Sequence, residues 1–155
     1  MQNCRNYASM CDMVANATIF ASILKGNGYS LTAPRRAVFE TLAEQGSMSM
    51  AELSKSVQKV CDRASVYRTI ELFEKLNIAQ RIAIGWKYKV ELSDIFQGHH
   101  HHAICIKCQR VVDFHESPEL EAVLQQLGEQ IDFKVTDHSI ELQGYCTACQ
   151  STVSS

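Results

Sequence analysis

Hydrophobic residues recur along the chain first at helical spacing and then in strict alternation, and the change of period divides the sequence into elements. Met13, Ala17, Phe20 and Leu24 fall at i, i+4, i+7 and i+11, and Gly26-Asn27-Gly28 stops the run, which predicts a first helix over about 12–26. Residues 1–11 carry no clear period and read as a tail or a frayed helical start. Thr32-Ala33-Pro34 opens a second helix whose Val38, Phe39 and Leu42 form a stripe before Gly46. Ser49-Met50-Ala51-Glu52 is a capping-box pattern, which predicts a third helix with Leu53, Val57 and Val60 on one side. Asp62 can cap a fourth, burying Val66, Ile70, Phe73 and Leu76 and leaving Arg63, Tyr67, Arg68 and Glu71 to project outward.

From residue 78 the period becomes two. Ile78, Ile82 and Ile84 interleave with Ala79, Arg81 and Ala83; after Gly85, Trp86, Tyr88, Val90 and Leu92 interleave with Lys87, Lys89 and Glu91. Helices closed by a two-stranded hairpin make a winged helix-turn-helix, with 62–76 as its recognition helix. Residues 93–98 break the alternation and read as a hinge. Beyond them the pattern predicts a strand (102–106), a cysteine turn and a second strand (111–114). A helix opened by Ser117-Pro118 follows, with Leu120, Leu124, Leu127 and Ile131 inward, then a last strand near 133–143. The fold expected is α+β: an N-terminal winged-helix domain over 1–92, a hinge over 93–98 and a C-terminal α/β domain over 99–155.

Charge changes this picture in one respect. The net charge of −2 argues against a nucleic-acid binder, but residues 1–84 carry ten Lys/Arg against seven Asp/Glu, and residues 85–155 five against ten. A basic half joined to an acidic half is expected if only the first meets phosphate. No apolar run approaches the roughly 18 residues of a membrane span, and no basic start precedes an apolar signal segment, so a cytoplasmic location is expected.

Seven cysteines without a secretory context point away from a disulfide framework. Four form two pairs, Cys105-x-x-Cys108 and Cys146-x-x-Cys149, separated by 37 residues. Each turn presents two thiolates, and two turns complete the tetrahedron that Zn²⁺ accepts, so a closed structural zinc site is expected; a redox dithiol or plain buried thiols are the competing readings. Cys4, Cys11 and Cys61 have no partner at ligand spacing.

His99-His100-His101-His102 lies between the hinge and an apolar strand. In an extended backbone His100 and His102 point one way, His99 and His101 the other, so one segment can serve two metal sites. Glu91, Asp113 and Glu121 are candidate carboxylates and His138 a further nitrogen, a donor mixture suited to Zn²⁺, Fe²⁺ or Mn²⁺. The bland reading is a solvated histidine run. His115, beside Glu116, is read as a surface residue. On the fourth helix, Tyr67 and Arg68 suit base-edge and thymine-methyl contacts, whereas Arg35, Arg36, Lys87 and Lys89 suit phosphate.

From residue 12 to 149 the chain resembles the ferric uptake regulator family. The segments that carry the resemblance are Leu31-Thr32-Ala33-Pro34-Arg35, Ala64-Ser65-Val66-Tyr67-Arg68-Thr69, His99 to Cys108 followed by Val111-Val112-Asp113-Phe114, Asp137-His138-Ser139, and Gly144-Tyr145-Cys146-Thr147-Ala148-Cys149. It implies a homodimeric repressor in which a regulatory metal closes the DNA-binding domains onto a palindromic operator, so the C-terminal domain is also the dimerisation domain. Ser65 and Arg63 then join Tyr67 and Arg68 on the DNA-reading helix. The resemblance assigns Glu91, His100 and His102 to the hinge sensor with Asp113 at an acidic position, and His99, His101, Glu121 and His138 to a second site. Where the family commonly has a sensor histidine before the third helix, this chain has Met48. His101, between the hinge histidines, is similar to zinc-sensing members, and His-Ala-Ile-Cys with Val-Asp-Phe to peroxide-sensing ones. Structural Zn²⁺ with regulatory Fe²⁺ or Zn²⁺ is expected, Mn²⁺ behind them.

An enzyme is not expected. A zinc deaminase needs His-x-Glu beside a cysteine turn around an open metal position, and the sequence has no such pairing. A thiol oxidoreductase needs CxxC at a helix start in a βαβ setting, whereas both pairs here follow strands. A metal-buffering protein accounts for the histidines but leaves the winged helix idle.

Overall fold

A computed structural model describes residues 10–115 and 117–150, with the side chains of 10–13 excepted. The chain divides between Phe96 and Gln97 into two compact units. The first holds α1 (Met10–Gly26), α2 (Ala33–Gln45), α3 (Met50–Ser56), α4 (Arg63–Lys75), β1 (Ala79–Ile84) and β2 (Lys87–Leu92). The short α5 (Asp94–Gln97) contains the division. The second holds β3 (His101–Cys105), β4 (Val111–Phe114), α6 (Pro118–Gln130), β5 (Glu141–Gly144) and α7 (Thr147–Gln150).

The helix starts form as their chemistry dictates. Ser49 accepts from the Glu52 backbone and Glu52 reaches back to the Ser49 N–H at 2.8 Å, closing the capping box of α3. Asp62 accepts from Ser65 N–H at 2.7 Å at the start of α4, and Pro34 occupies the first turn of α2, where its missing N–H costs nothing.

The core of the first unit joins Phe20 and Leu24 of α1 to Val38, Phe39 and Leu42 of α2, to Leu53, and to Val66, Ile70 and Phe73 of α4, all buried. Phe20 stacks on Phe39 with ring centroids 4.1 Å apart and meets Phe73 edge-on at 5.4 Å. Each such buried side chain contributes about 1.5–3 kcal/mol. Three positions depart from the expected faces. Ala17 is exposed, its place toward the interior taken by half-buried Asn16, whose Nδ2 donates to the Phe96 carbonyl at 3.0 Å. Val60 is 50% exposed because α3 ends at Ser56 and the chain turns away. Tyr67 does not project freely: its ring is half-buried against the core. Met13 lies among the undescribed side chains.

β1 and β2 form an antiparallel hairpin in which Ile84 pairs with Lys87 across the two-residue turn Gly85-Trp86. Gly85 has φ 58°, the positive value that the first central position of a type II′ turn requires. Near its base the hairpin is covered on both faces: Ala79 and Glu91 are buried alongside Val90 and Leu92. Trp86, expected on the apolar face, sits in the turn and is exposed. Met48 pairs with Val90 through two backbone hydrogen bonds of 2.9 and 2.8 Å, an isolated bridge on the edge of the two-stranded hairpin. Within residues 93–98, read from the sequence as a hinge, Phe96 of α5 is buried in the first unit with its ring edge against Phe39 at 5.0 Å.

In the second unit β4, β3 and β5 form a three-stranded sheet in that order, β3 antiparallel to β4 and parallel to β5. The last strand is shorter than expected: Glu141–Gly144 forms the strand paired with β3, and 133–140 lacks regular strand structure. The inward face expected for α6 is also only half right. Leu120 and Leu124 are half-buried, but Leu127 is 51% and Ile131 72% exposed. Gly128 is the buried residue of that helix because residues 133–135 cross it closely; a Cβ there would lie 2.6 Å from Val135 Cγ2 and 2.7 Å from the Phe133 carbonyl oxygen. Among the described residues no helix is long and apolar enough to cross a membrane.

Candidate metal centres and nucleic-acid interface

The parallel pairing of β5 with β3 sets Gly144 opposite Cys105, which brings the Cys146 turn to the Cys105 turn. The first turn is closed by Gln109 N–H donating to the Cys105 carbonyl at 2.8 Å, with Gln109 at φ 60°. The second is closed by Cys149 N–H donating to the Cys146 carbonyl at 2.7 Å. The four sulfurs lie within 4.8 Å of one another, Cys108 and Cys146 at 3.7 Å. Backbone N–H groups of Cys108 and Cys146 aimed at its sulfur bring the Cys105 thiol down to about 6, whereas burial and the neighbouring sulfurs push Cys149 up to about 12. Four cysteine sulfurs gathered this closely form a donor set that suits Zn²⁺, which takes four thiolates in closed structural sites.

Two further groups of donors flank β3. On one side the ring nitrogens of His99, His101 and His138 fall within 4.8 Å of one another, with His99 Nε2 and His138 Nε2 3.4 Å apart. Glu121 of α6 places a carboxylate oxygen 3.7 Å from His138 Nε2 while its other oxygen accepts from Gln125 at 2.9 Å. His101 is buried, with its Nδ1 3.4 Å from Ile140 N–H. On the other side, donor atoms of His100, His102 and Asp113 likewise lie within 4.8 Å of one another, the His102–Asp113 distance being 3.8 Å. This pair is set by strand register, since His102 and Asp113 are directly opposed. His100 Nδ1 donates to the Gly98 carbonyl at 2.9 Å; a carbonyl can only accept, so Nε2 is the nitrogen left with a lone pair. Alternate histidines therefore do group on opposite sides.

The first unit presents Glu91 buried, accepting from Gln80 Nε2 at 2.9 Å. Nothing in the spacing of the sequence marked Gln80, although its register position opposite Glu91 follows once the hairpin is aligned. Met48 is buried in the hydrophobic core, so its sulfur serves packing, in keeping with its backbone pairing to Val90. His115, which the sequence left without a role, donates from Nδ1 to the His99 carbonyl at 3.2 Å and so fixes the start of the histidine segment. Glu116 lies outside the described residues.

On α4, Arg63 Nη2 donates to the Tyr67 hydroxyl at 3.1 Å with its guanidinium 5.4 Å from the ring centroid, and Arg68 Nη2 donates to Ser65 Oγ at 3.3 Å. Four polar groups thus line the N-terminal half of the helix, where positive backbone dipoles add to two arginines. Arg36 is exposed at the start of α2, while half-buried Arg35 is held by the Ser30 carbonyl and by the Tyr29 ring at 5.4 Å. Lys87 is exposed and Lys89 half-buried on the hairpin.

A family model described as the ferric uptake regulator family matches residues 26–143. The chain belongs to the ferric uptake regulator family. A ferric uptake regulation protein of Neisseria meningitidis serogroup A is 31% identical over 137 residues, spanning 83% of this chain and 91% of the relative. A peroxide-responsive repressor of Staphylococcus saprophyticus is 30% identical over 132 residues, spanning 82% and 86%. Among solved structures, the ferric uptake regulator of Helicobacter pylori superposes with a TM-score of 0.77 at 24% identity, over 89% of this chain and 93% of that one. That structure is described as revealing three functional metal binding sites. The likeness establishes the fold here, a winged helix followed by an α/β domain, and membership of the family makes the chain a metal-responsive transcription regulator.

Proposed function

We propose that this chain is a metal-activated repressor that binds a palindromic operator as a homodimer. The observation that carries the reading is the division of one histidine segment into two donor groups on opposite sides of β3, on a chain whose other unit is a winged helix. His100, His102 and Asp113 would hold the regulatory ion, and His99, His101 and His138 with Glu121 a second one. Glu91 joins the sensor on the strength of the family resemblance; Gln80 orients its carboxylate. Because Met48 is committed to the core, its thioether is not offered to the sensor. Two nitrogens and carboxylate oxygens suit Fe²⁺, Zn²⁺ or Mn²⁺. When bound, the ion supplies the positive charge that holds these ligands in one geometry. The four cysteines would take Zn²⁺ as a permanent clamp between the β3 turn and the C-terminal segment.

Tyr67 and Arg68 read base edges, with Arg63 and Ser65 holding them, and Arg35, Arg36, Lys87 and Lys89 meet phosphate. Homodimerisation through the second unit is supported by its exposed apolar residues: Val123 is 50%, Leu127 51%, Ile131 72% and Phe133 64% accessible. Val123 and Leu127 lie one turn apart on α6, and exposed apolar side chains at such spacing are what an interface covers. The test is a gel shift on a duplex selected by the protein, with Fe²⁺, Zn²⁺ or Mn²⁺ added singly to zinc-filled protein. Metal-dependent retardation supports repression; retardation indifferent to all three ions overturns it.

A second reading, peroxide sensing by the same site, is favoured by the similarity to the peroxide-responsive repressor and by the His102–Asp113 pairing. Under it, iron-loaded protein loses its operator on exposure to hydrogen peroxide and manganese-loaded protein does not.

A further inference from the structure

The hairpin ends in an aromatic side chain to which the proposed function gives no role, beside the phosphate contact Lys87. Trp86, the single tryptophan of the chain, is 88% exposed, whereas an indole is ordinarily among the better-buried side chains. It is held out by a tight turn: Ile84 pairs with Lys87, and Gly85 at φ 58° makes the reversal in two residues. The Lys87 ammonium lies 4.7 Å from the indole centroid, so the tip presents a planar apolar face with a cation stacked on it.

The charged residues from Arg81 to Val90 are all cationic: Arg81, Lys87 and Lys89. Arg81 is engaged by Glu74 of α4, with Nη2 donating to Oε2 at 2.8 Å, and Lys89 lies within electrostatic reach of Glu52. Lys87 is thus the cation of the tip. The Arg81–Glu74 pair also ties the hairpin to the C-terminal half of α4, so the turn stands three residues, about 10 Å, beyond an anchor on the recognition helix. A partner for this tip must offer negative charge beside a flat or grooved apolar surface. Duplex DNA offers both, as phosphates flanking the sugars and base edges of a groove.

We propose that Trp86 and Lys87 form a second DNA contact at the wing tip. The indole face packs on the sugar and base wall of the groove next to that occupied by α4, and the Lys87 ammonium moves from the ring to a phosphate oxygen. The inference rests on the DNA-binding reading above. Because Trp86 is the only tryptophan, its emission reports on that residue alone in the full-length metallated protein.

The probe is an unlabelled duplex selected by the metallated protein from a random-sequence pool, with binding followed in parallel by gel shift. Acrylamide quenching of Trp86 should fall about threefold or more at saturating duplex, as expected for a ring enclosed in an interface. Trp86→Ala should weaken the gel shift roughly five- to thirtyfold and Trp86→Phe much less, the ring rather than the indole N–H being the contact. A retarded complex in which Trp86 stays fully open to acrylamide overturns this inference and leaves DNA binding intact. So does stronger shielding by anionic phospholipid vesicles than by the duplex. Absence of any gel shift with every metal overturns the underlying reading, and this inference with it.

Discussion

Gly128→Ala tests whether the close crossing behind α6 is what places His138. The new methyl would fall 2.7 Å from the Phe133 carbonyl oxygen and 2.6 Å from Val135 Cγ2. The valine methyl can turn aside, but the carbonyl is backbone and is held by its own residue's N–H donating to the Gly128 carbonyl at 2.8 Å. Reaching an ordinary contact requires the 133–135 segment to retreat by several tenths of an ångström or more. Overpacking of this kind costs about 1–3 kcal/mol. Against it stands a gain of about 0.8–1 kcal/mol from replacing glycine by alanine in a helix. The clash wins by up to about 2 kcal/mol, or a few degrees in melting temperature at this chain length. Displacing residues 133–135 also shifts His138, whose Nε2 is 3.4 Å from His99 Nε2, so metal uptake at that cluster should weaken as well. Gly26→Ala is the control: it ends α1 with nothing within 4 Å of the new Cβ, and should be neutral or slightly stabilising. Thermal unfolding and metal stoichiometry by equilibrium dialysis decide the matter. If Gly128→Ala melts at or above the parent temperature and binds metal normally, the crossing does not position His138.

Other outcomes follow from single contacts. Ser49→Ala should cost about 1 kcal/mol at neutral pH by opening the capping box. Hydrogen bonds from the Ser49 side chain and backbone hold the Glu52 carboxyl below its ordinary value, so this stability is present above the unfolded-state pKa. It is lost as pH falls through the lowered folded value, and the gap between parent and Ser49→Ala in urea unfolding should narrow with acid. Cys146→Ser should release zinc and lower stability, read by zinc release to a colorimetric chelator; a stable variant that keeps its zinc would contradict the clamp. Arg68→Ala should cost on the order of 1–3 kcal/mol of operator affinity by gel shift, with the loss concentrated at particular base pairs if Arg68 reads an edge.

Much of the fold was legible because it rests on local chemistry. Ser49 with Glu52, Asp62 before α4, and Gly85 between alternating runs each specify a cap or a turn within four residues, and the chain obeys them. The grouping of His99 with His101 and of His100 with His102 was legible for the same reason, since alternation is a property of extended backbone. Less legible was anything depending on what covers a face. Leu127 and Ile131 have the spacing of core residues yet lie open, and Ala17 and Val60 share a stripe with buried neighbours without joining them. Periodicity says which residues share a side, not whether an element of the same chain lies over it. Met48 stood out only as a departure from a family pattern; its burial and pairing with Val90 depend on a strand some forty residues away. Gln80 was invisible because its importance comes from register opposite Glu91.

The central claim is that one histidine segment serves a regulatory site on one side of β3 and a separate site on the other. Four single alanine variants, at His99, His100, His101 and His102, assayed for metal stoichiometry and metal-dependent operator binding on zinc-filled protein, test it most directly. His100→Ala and His102→Ala should abolish metal-activated DNA binding while the protein stays folded. His99→Ala and His101→Ala should instead reduce metal stoichiometry and metal-induced stability, with a smaller effect on DNA. Four variants that behave alike would contradict the claim.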